Sequence, residues 1–203
     1  MTRAHAVLLA GGAGSRLGGA DKALLRRKGR TLLDHWVSAL ADRELPSVVV
    51  GPGHLRAHLP GQFLLTREDP PRTGPAAAVC AGVRALNHSA RPTSGEAVLL
   101  LSVDTVAPGP LLDWLLDWLP ALSDTGEQAI IPRDGGETFQ MLSSAVSRPW
   151  LGDRVERLAP GEETDQSLRW LLRPARTMHP VLPPDLAGDV DTEDDARRYD
   201  VHP

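Results

Sequence analysis

A chain of 203 residues with 41% hydrophobic residues is long enough to bury a substantial core, and one domain over residues 1–203 is expected. Its net charge of -4 excludes a broad basic surface for nucleic acid, and no apolar run reaches the roughly 18 residues of a membrane span. A single cysteine, Cys80, excludes an internal disulfide and a cysteine-based zinc site; its small apolar neighbours fit a buried structural thiol.

Residues 5–10 read as a first strand, entered directly from an N-terminus that lacks a signal-peptide pattern, so a cytoplasmic location is expected. Thr31 is suited to cap a helix, with Asp34 three residues on as its reciprocal partner. Leu32, Leu33, Trp36, Val37 and Leu40 then repeat at helical spacing. Ser47 to Val50 is a β-branched strand ended by Gly51-Pro52-Gly53, and Gln62 to Thr66 is a weaker one. His54 and His58 have helical metal-ligand spacing, but the flanking Pro52, Gly53 and Pro60 favour a short exposed turn. Pro75 suits the first turn of a following helix. Ala97 to Val103 is apolar enough for the centre of a sheet. A helix at about 109–119 places Trp114 and Trp118 on one face. Beyond it come a strand at Gln128 to Pro132, a turn at Arg133 to Glu137 and a returning strand at Thr138 to Ser144. Helices near 149–158 and 166–173 and a short strand at Thr177 to Leu182 complete the pattern. Thr192 with Asp195 reads as the cap of a terminal helix. This alternation predicts an α/β fold: a mostly parallel central sheet with helices on both faces. Ligands of such sheets bind where the strands end.

The chemistry concentrates in Ala6 to Leu25. After the strand come Gly11, Gly12, Gly14, Gly18 and Gly19, with Arg16 inside the run and Lys22 after it. Glycines let the backbone approach a ligand, successive N–H groups make an anion-binding concavity, and Arg16 and Lys22 add fixed positive charge. A polyphosphate is the natural guest. The Walker A pattern fails at Ala20, and the dinucleotide fingerprint fails at Leu17. Asp104, directly after the strongest strand, can hold Mg²⁺ on the same sheet edge.

This stretch resembles the L-A-G-G-x-x-x-R-x-G-x-x-K loop of nucleotidyltransferases. The Asp before Lys22 makes it most similar to the molybdenum cofactor guanylyltransferases, also called molybdopterin-guanine dinucleotide synthases. Further islands of resemblance lie at 69–82, 98–104 and 189–195. The resemblance implies a Rossmann-like nucleotidyltransferase fold, with GTP and molybdopterin as substrates and Mg²⁺ as cofactor. It assigns Leu9, Ala10, Gly11, Gly12, Gly14, Ser15 and Lys22 to the nucleotide, with Asp69 and Gly74 beside the nucleoside. Arg16, Lys22 and Asp104 become the catalytic charges, and Asp104 and Asp189 the metal ligands; Asp191 is the alternative to Asp189. Three departures stand out. Gly51-Pro52-Gly53 replaces an Asn that helps read guanine, and Phe139-Gln140-Met141-Leu142 replaces the pterin-side P-L element. The segment between Asp104 and Pro108 lacks an early proline. CTP or another phosphate acceptor, or nucleotide binding without turnover, are the alternatives these departures leave open.

Overall fold

The computed structural model describes residues 3–11, 21–89, 92–93 and 95–202. Strand β1 (Arg3–Leu9) leads towards the glycine loop, and a short 3₁₀ turn at Lys22–Leu24 follows that loop. Strands β2 (Arg26–Arg27) and β3 (Arg30–Thr31) then precede helix α1 (Leu32–Ala41). The expected capping box is present: Thr31 Oγ1 accepts the Asp34 N–H, and the Asp34 carboxylate accepts the Thr31 N–H, each at 3.0 Å. Strand β4 (Ser47–Val50), a 3₁₀ turn at Gly53–His58 and strand β5 (Leu64–Thr66) lead to helix α2 (Gly74–Ser89). Strand β6 (Glu96–Ser102) feeds helix α3 (Pro108–Thr125). That helix is longer than the sequence suggests and stops at Gly126 in the left-handed conformation.

The second half adds strands β7 (Ala129–Ile130) and β8 (Ser143–Ser147) and helices α4 (Arg148–Glu156) and α5 (Leu168–Leu172). Strand β9 (Thr177–Met178), helix α6 (Glu193–Tyr199) and strand β10 (Val201–His202) close the chain. The returning strand is displaced from the expected 138–144. Asp134 Oδ1 accepts the N–H groups of Gly136 and Thr138, which takes these donors out of a ladder. Pairing with β6 begins only at Ser143 and brings Ala145 and Val146 into the core.

The main sheet has the order β5-β4-β1-β6-β8-β7-β9. Strands β5, β4, β1 and β6 are mutually parallel, and β8 runs antiparallel to β6 and β7. Continuous apolar runs in β1 and β6 follow from burial on both faces. Ala6, Leu8, Leu99 and Leu101 pack towards α1 and α3, whereas Val7, Leu9, Val98 and Leu100 pack towards α2, α4 and α5. Helix α2 lies so close to the sheet that a Cβ on Gly82 would stand 2.5 Å from Val7 Cγ1 and 3.0 Å from Val50 Cγ2. A second sheet, β10-β2-β3, joins the C-terminus to the region after the glycine loop.

At the edge where β1 and β6 begin, Arg148 is buried. Its Nη1 donates to His5 Nε2 at 2.9 Å and to Glu96 Oε2 at 2.7 Å. Burial, then the Arg148 charge, lowers the His5 pKa. Burial alone would raise the Glu96 carboxyl, but hydrogen bonds from Thr93 and the Arg148 charge outweigh it and hold the pKa below the ordinary value. Cys80 is buried, and desolvation pushes its thiol up to about 11, so it is an inert core group. No helix among the described residues is long and apolar enough to cross a membrane.

Candidate active site

Three chain segments converge where β1 and β6 end. Leu9 and Ala10 are fixed by the sheet: the Val103 N–H donates to Leu9 O at 2.9 Å, and the Ala10 N–H donates to Val50 O at 2.8 Å. Gly11 begins the loop and is exposed. Gly12, Gly14, Ser15 and Arg16 lie outside the described residues. Lys22 opens the 3₁₀ turn that follows, which is capped by Asp21 Oδ1 accepting the Ala23 N–H at 3.0 Å.

The third segment comes from the C-terminus. Residues 104–106 pair with 188–190: Val106 N–H donates to Gly188 O at 3.1 Å and Val190 N–H to Asp104 O at 3.0 Å, with a β-bridge between Thr105 and Asp189. This pairing brings Asp189 and Asp191 to Asp104. The α6 capping box of Thr192 and Asp195 holds the segment from its other side, so the terminal acidic motif has both structural and electrostatic consequences.

Lys22 Nζ donates to Asp104 Oδ2 at 3.2 Å and to Asp191 Oδ1 at 2.5 Å. The Lys22 and Asp104 side chains are each 19% exposed, whereas Asp191 is 48% exposed. Burial would lower the Lys22 pKa, but hydrogen bonds and charge from Asp191 and Asp104 raise it. Asp189 behaves oppositely. Burial first, then repulsion from Asp191, Asp104 and Asp195, pushes its carboxyl up to about 6. Among the described residues one ammonium therefore faces three carboxylates, and that surplus negative charge favours a cation. No group of three or more His, Cys, Asp or Glu side chains is arranged to hold a metal among the described residues. Mg²⁺ does not require such a group, because it binds through one or two carboxylates completed by water and substrate phosphates. The donors present are all oxygen, which suits that ion.

A cavity of about 390 Å³ opens beside these carboxylates. Asp104, Asp189 and Asp191 line one part of it, and Phe139, Ser143 and Arg169 line another. Pro75 also lines it, but Asp69 does not; that residue is exposed in the segment before α2. Gly74 has φ +94, and a Cβ there would lie 3.4 Å from Gln166 O and 3.5 Å from Asp165 Cα. Its backbone thus seats the 165–166 turn against the start of α2, where the Ala76 N–H donates to Gln166 O at 3.3 Å. The Lys22–Asp191 contact and the place of Arg169 in the cavity wall are absent from the sequence reading. The acidic motif at 189–191 signals the first, but nothing in the helical pattern at 166–173 singles out the second.

A family model described as the MobA-like NTP transferase domain matches residues 6–181. The molybdenum cofactor guanylyltransferase of Ectopseudomonas mendocina (strain ymp) is 34% identical over 189 residues, covering 90% of this chain and 85% of that protein. The one from Acidiphilium cryptum (strain JF-5) is 41% identical over 103 residues, half the length of each protein. Among solved structures, molybdopterin-guanine dinucleotide biosynthesis protein A from Archaeoglobus fulgidus has a TM-score of 0.68 at 18% identity, covering 96% of both chains. A 4-diphosphocytidyl-2C-methyl-D-erythritol synthase from Anaerococcus prevotii DSM 20548 has a TM-score of 0.65 at 13% identity, covering 98% of this chain and 96% of that one. These two structures show that the chain shares the nucleotidyltransferase fold. With the family model spanning most of the chain and a guanylyltransferase relative aligned along nearly all of it, the chain belongs to the MobA-like NTP transferase family and, within it, to the molybdenum cofactor guanylyltransferases.

Proposed function

We propose that this chain, acting as one domain over residues 1–203, transfers a guanylyl group from GTP to the terminal phosphate of molybdopterin, with Mg²⁺ as cofactor. The observation that carries this reading is Lys22 bridging Asp104 and Asp191 at the sheet edge, beside a cavity large enough for an acceptor. Backbone N–H groups from Gly11 through Gly12, Gly14 and Ser15 cradle the triphosphate, next to the fixed backbone of Leu9 and Ala10. Asp69 and Gly74 flank the nucleoside. Asp104 and Asp189 would hold the metal, which would supply positive charge at the α-phosphate.

An oxygen of the acceptor phosphate forms the new bond to the α-phosphorus of GTP, and the bond from that phosphorus to the bridging oxygen breaks. Pyrophosphate leaves with the electron pair. Arg16 and Lys22 stabilise the charge gathering on it as the bond breaks. The reaction needs no covalent enzyme intermediate; aligning two phosphates in a line supplies much of the rate. Gly51-Pro52-Gly53 offers backbone where the family has a base-reading Asn, which makes CTP the competitor to test. The test is pyrophosphate release from GTP, CTP, ATP and UTP, each with and without molybdopterin. Release from GTP that depends on molybdopterin is expected. Equal release from CTP would refute the base assignment, and binding without release would refute the catalytic one.

A further inference from the structure

A second cavity of about 310 Å³ adjoins the first and shares Phe139, Met141 and Arg169 with it. The two ends of this trough differ in chemistry. The first end carries Asp104, Asp189 and Asp191. The second has an apolar floor that includes Ile131, Leu172 and Ala175, and its rim carries Arg173 and His179. Phe139 is 36% exposed. Its ring centroid lies 4.7 Å from that of His179, and the Arg169 guanidinium lies over the ring at 5.5 Å.

Arg169 makes no ion pair or hydrogen bond with any of the described residues. The side chain is exposed, its guanidinium lies beside the Phe139 ring at the junction of the two cavities, and its planar N–H fork is open to solvent and to a ligand. Such a fork suits a flat group that offers two neighbouring acceptor atoms, such as a ring carbonyl beside a ring nitrogen. We propose that Arg169, beside Phe139, binds the heterocyclic end of the acceptor, while the acceptor's phosphate lies towards Lys22 and the proposed metal site at the other end. A substrate filling both ends is flat and heteroaromatic at one extremity and phosphorylated at the other, as molybdopterin is. The assignment rests on the proposed function and adds a residue that selects the acceptor.

The experiment uses the full chain as wild type, Arg169→Ala, Arg169→Lys and Phe139→Leu. Molybdopterin and GTP are varied separately in steady state, and GTP binding is measured calorimetrically without acceptor. Loss of a charge-assisted contact predicts that Arg169→Ala raises KM for molybdopterin about 10- to 100-fold. Its kcat should stay within about threefold and its GTP affinity should not change, because the fork acts on binding rather than on the reacting phosphates. Arg169→Lys keeps the charge but loses the fork and should recover only part of the affinity. Phe139→Leu keeps the apolar surface, frees the guanidinium and should raise KM by a smaller factor. An unchanged KM for molybdopterin in Arg169→Ala, or a matching loss of GTP affinity, overturns the assignment while the proposed function stands. A wild-type chain that binds GTP but yields no product with molybdopterin overturns both.

Discussion

Lys22→Ala removes an ammonium that donates to Asp104 at 3.2 Å and to Asp191 at 2.5 Å, and its effects on rate and on stability separate. Losing one preorganised charge contact to a transition state costs about 100- to 1,000-fold, or about 3 kcal/mol. We therefore expect kcat/KM to fall at least ~100-fold. A buried hydrogen bond to a charged partner contributes about 1.5–3 kcal/mol to stability. The Asp104 contact is largely shielded, but Asp191 is 48% exposed, and its contact counts for little after solvent screening. The net loss is about 2 kcal/mol, which for a chain of this size lowers Tm by about 4–8 °C and leaves the protein folded. Pyrophosphate release with GTP and molybdopterin measures the first effect and a thermal melt the second, with Lys22→Arg as the charge-retaining control. Turnover within about fivefold of wild type would reduce Lys22 to a structural counterion and refute the reasoning.

On the proposed metal role, Asp104→Ala should also lose at least ~100-fold in rate while remaining folded; near-normal turnover in the pyrophosphate assay would refute that role. Gly82→Ala drives a methyl group into Val7 and Val50 and should cost about 1–3 kcal/mol, seen as a lower denaturation midpoint at unchanged m-value. The His5 and Glu96 contributions should be lost in two stages as pH falls, against an opposing gain from Asp189, whose carboxyl, raised to about 6, takes up its proton in the folded state first. The folded-state pKa of His5 lies below its ordinary 6.5, so its contribution is complete above that pH and lost as pH falls towards the folded value. The Glu96 carboxyl lies below its ordinary 4.5, so its contribution is lost further down, as pH falls through its own folded value. Denaturant melts of wild type and His5→Gln across this range should differ in the upper stage only, and parallel curves would refute the His5 assignment.

The central sheet is legible because β1, β4 and β6 are short, apolar and bounded by turn residues, so burial on two faces leaves a direct mark. The α1 and α6 caps are legible because each depends on residues three apart. Strands β2, β3 and β10 are not legible, because two residues show no periodicity and their pairing is decided by distant segments. The same holds for the site. Lys22 and Asp104 announce themselves by following a glycine loop and a buried strand. Asp191 meets Lys22 across 169 residues, a contact set by pairing of 104–106 with 188–190 rather than by local pattern. Arg169 is hidden for a related reason: its importance depends on Phe139, which a displaced strand leaves in a loop.

The late return of residues 188–191 to the strand edge also orders events during synthesis. A chain emerging N-terminus first can pair β1, β4, β5 and β6 and bury both sheet faces before its last segment exists. Asp104 is then in place at the end of β6, but Asp189 and Asp191 are not, and β2, just after Lys22, still lacks its partner β10. The acidic surplus beside Lys22 is completed only when the C-terminal segment lies down beside Asp104. An unfinished or clipped chain can thus be a well-packed sheet and still lack the charge balance that its chemistry requires.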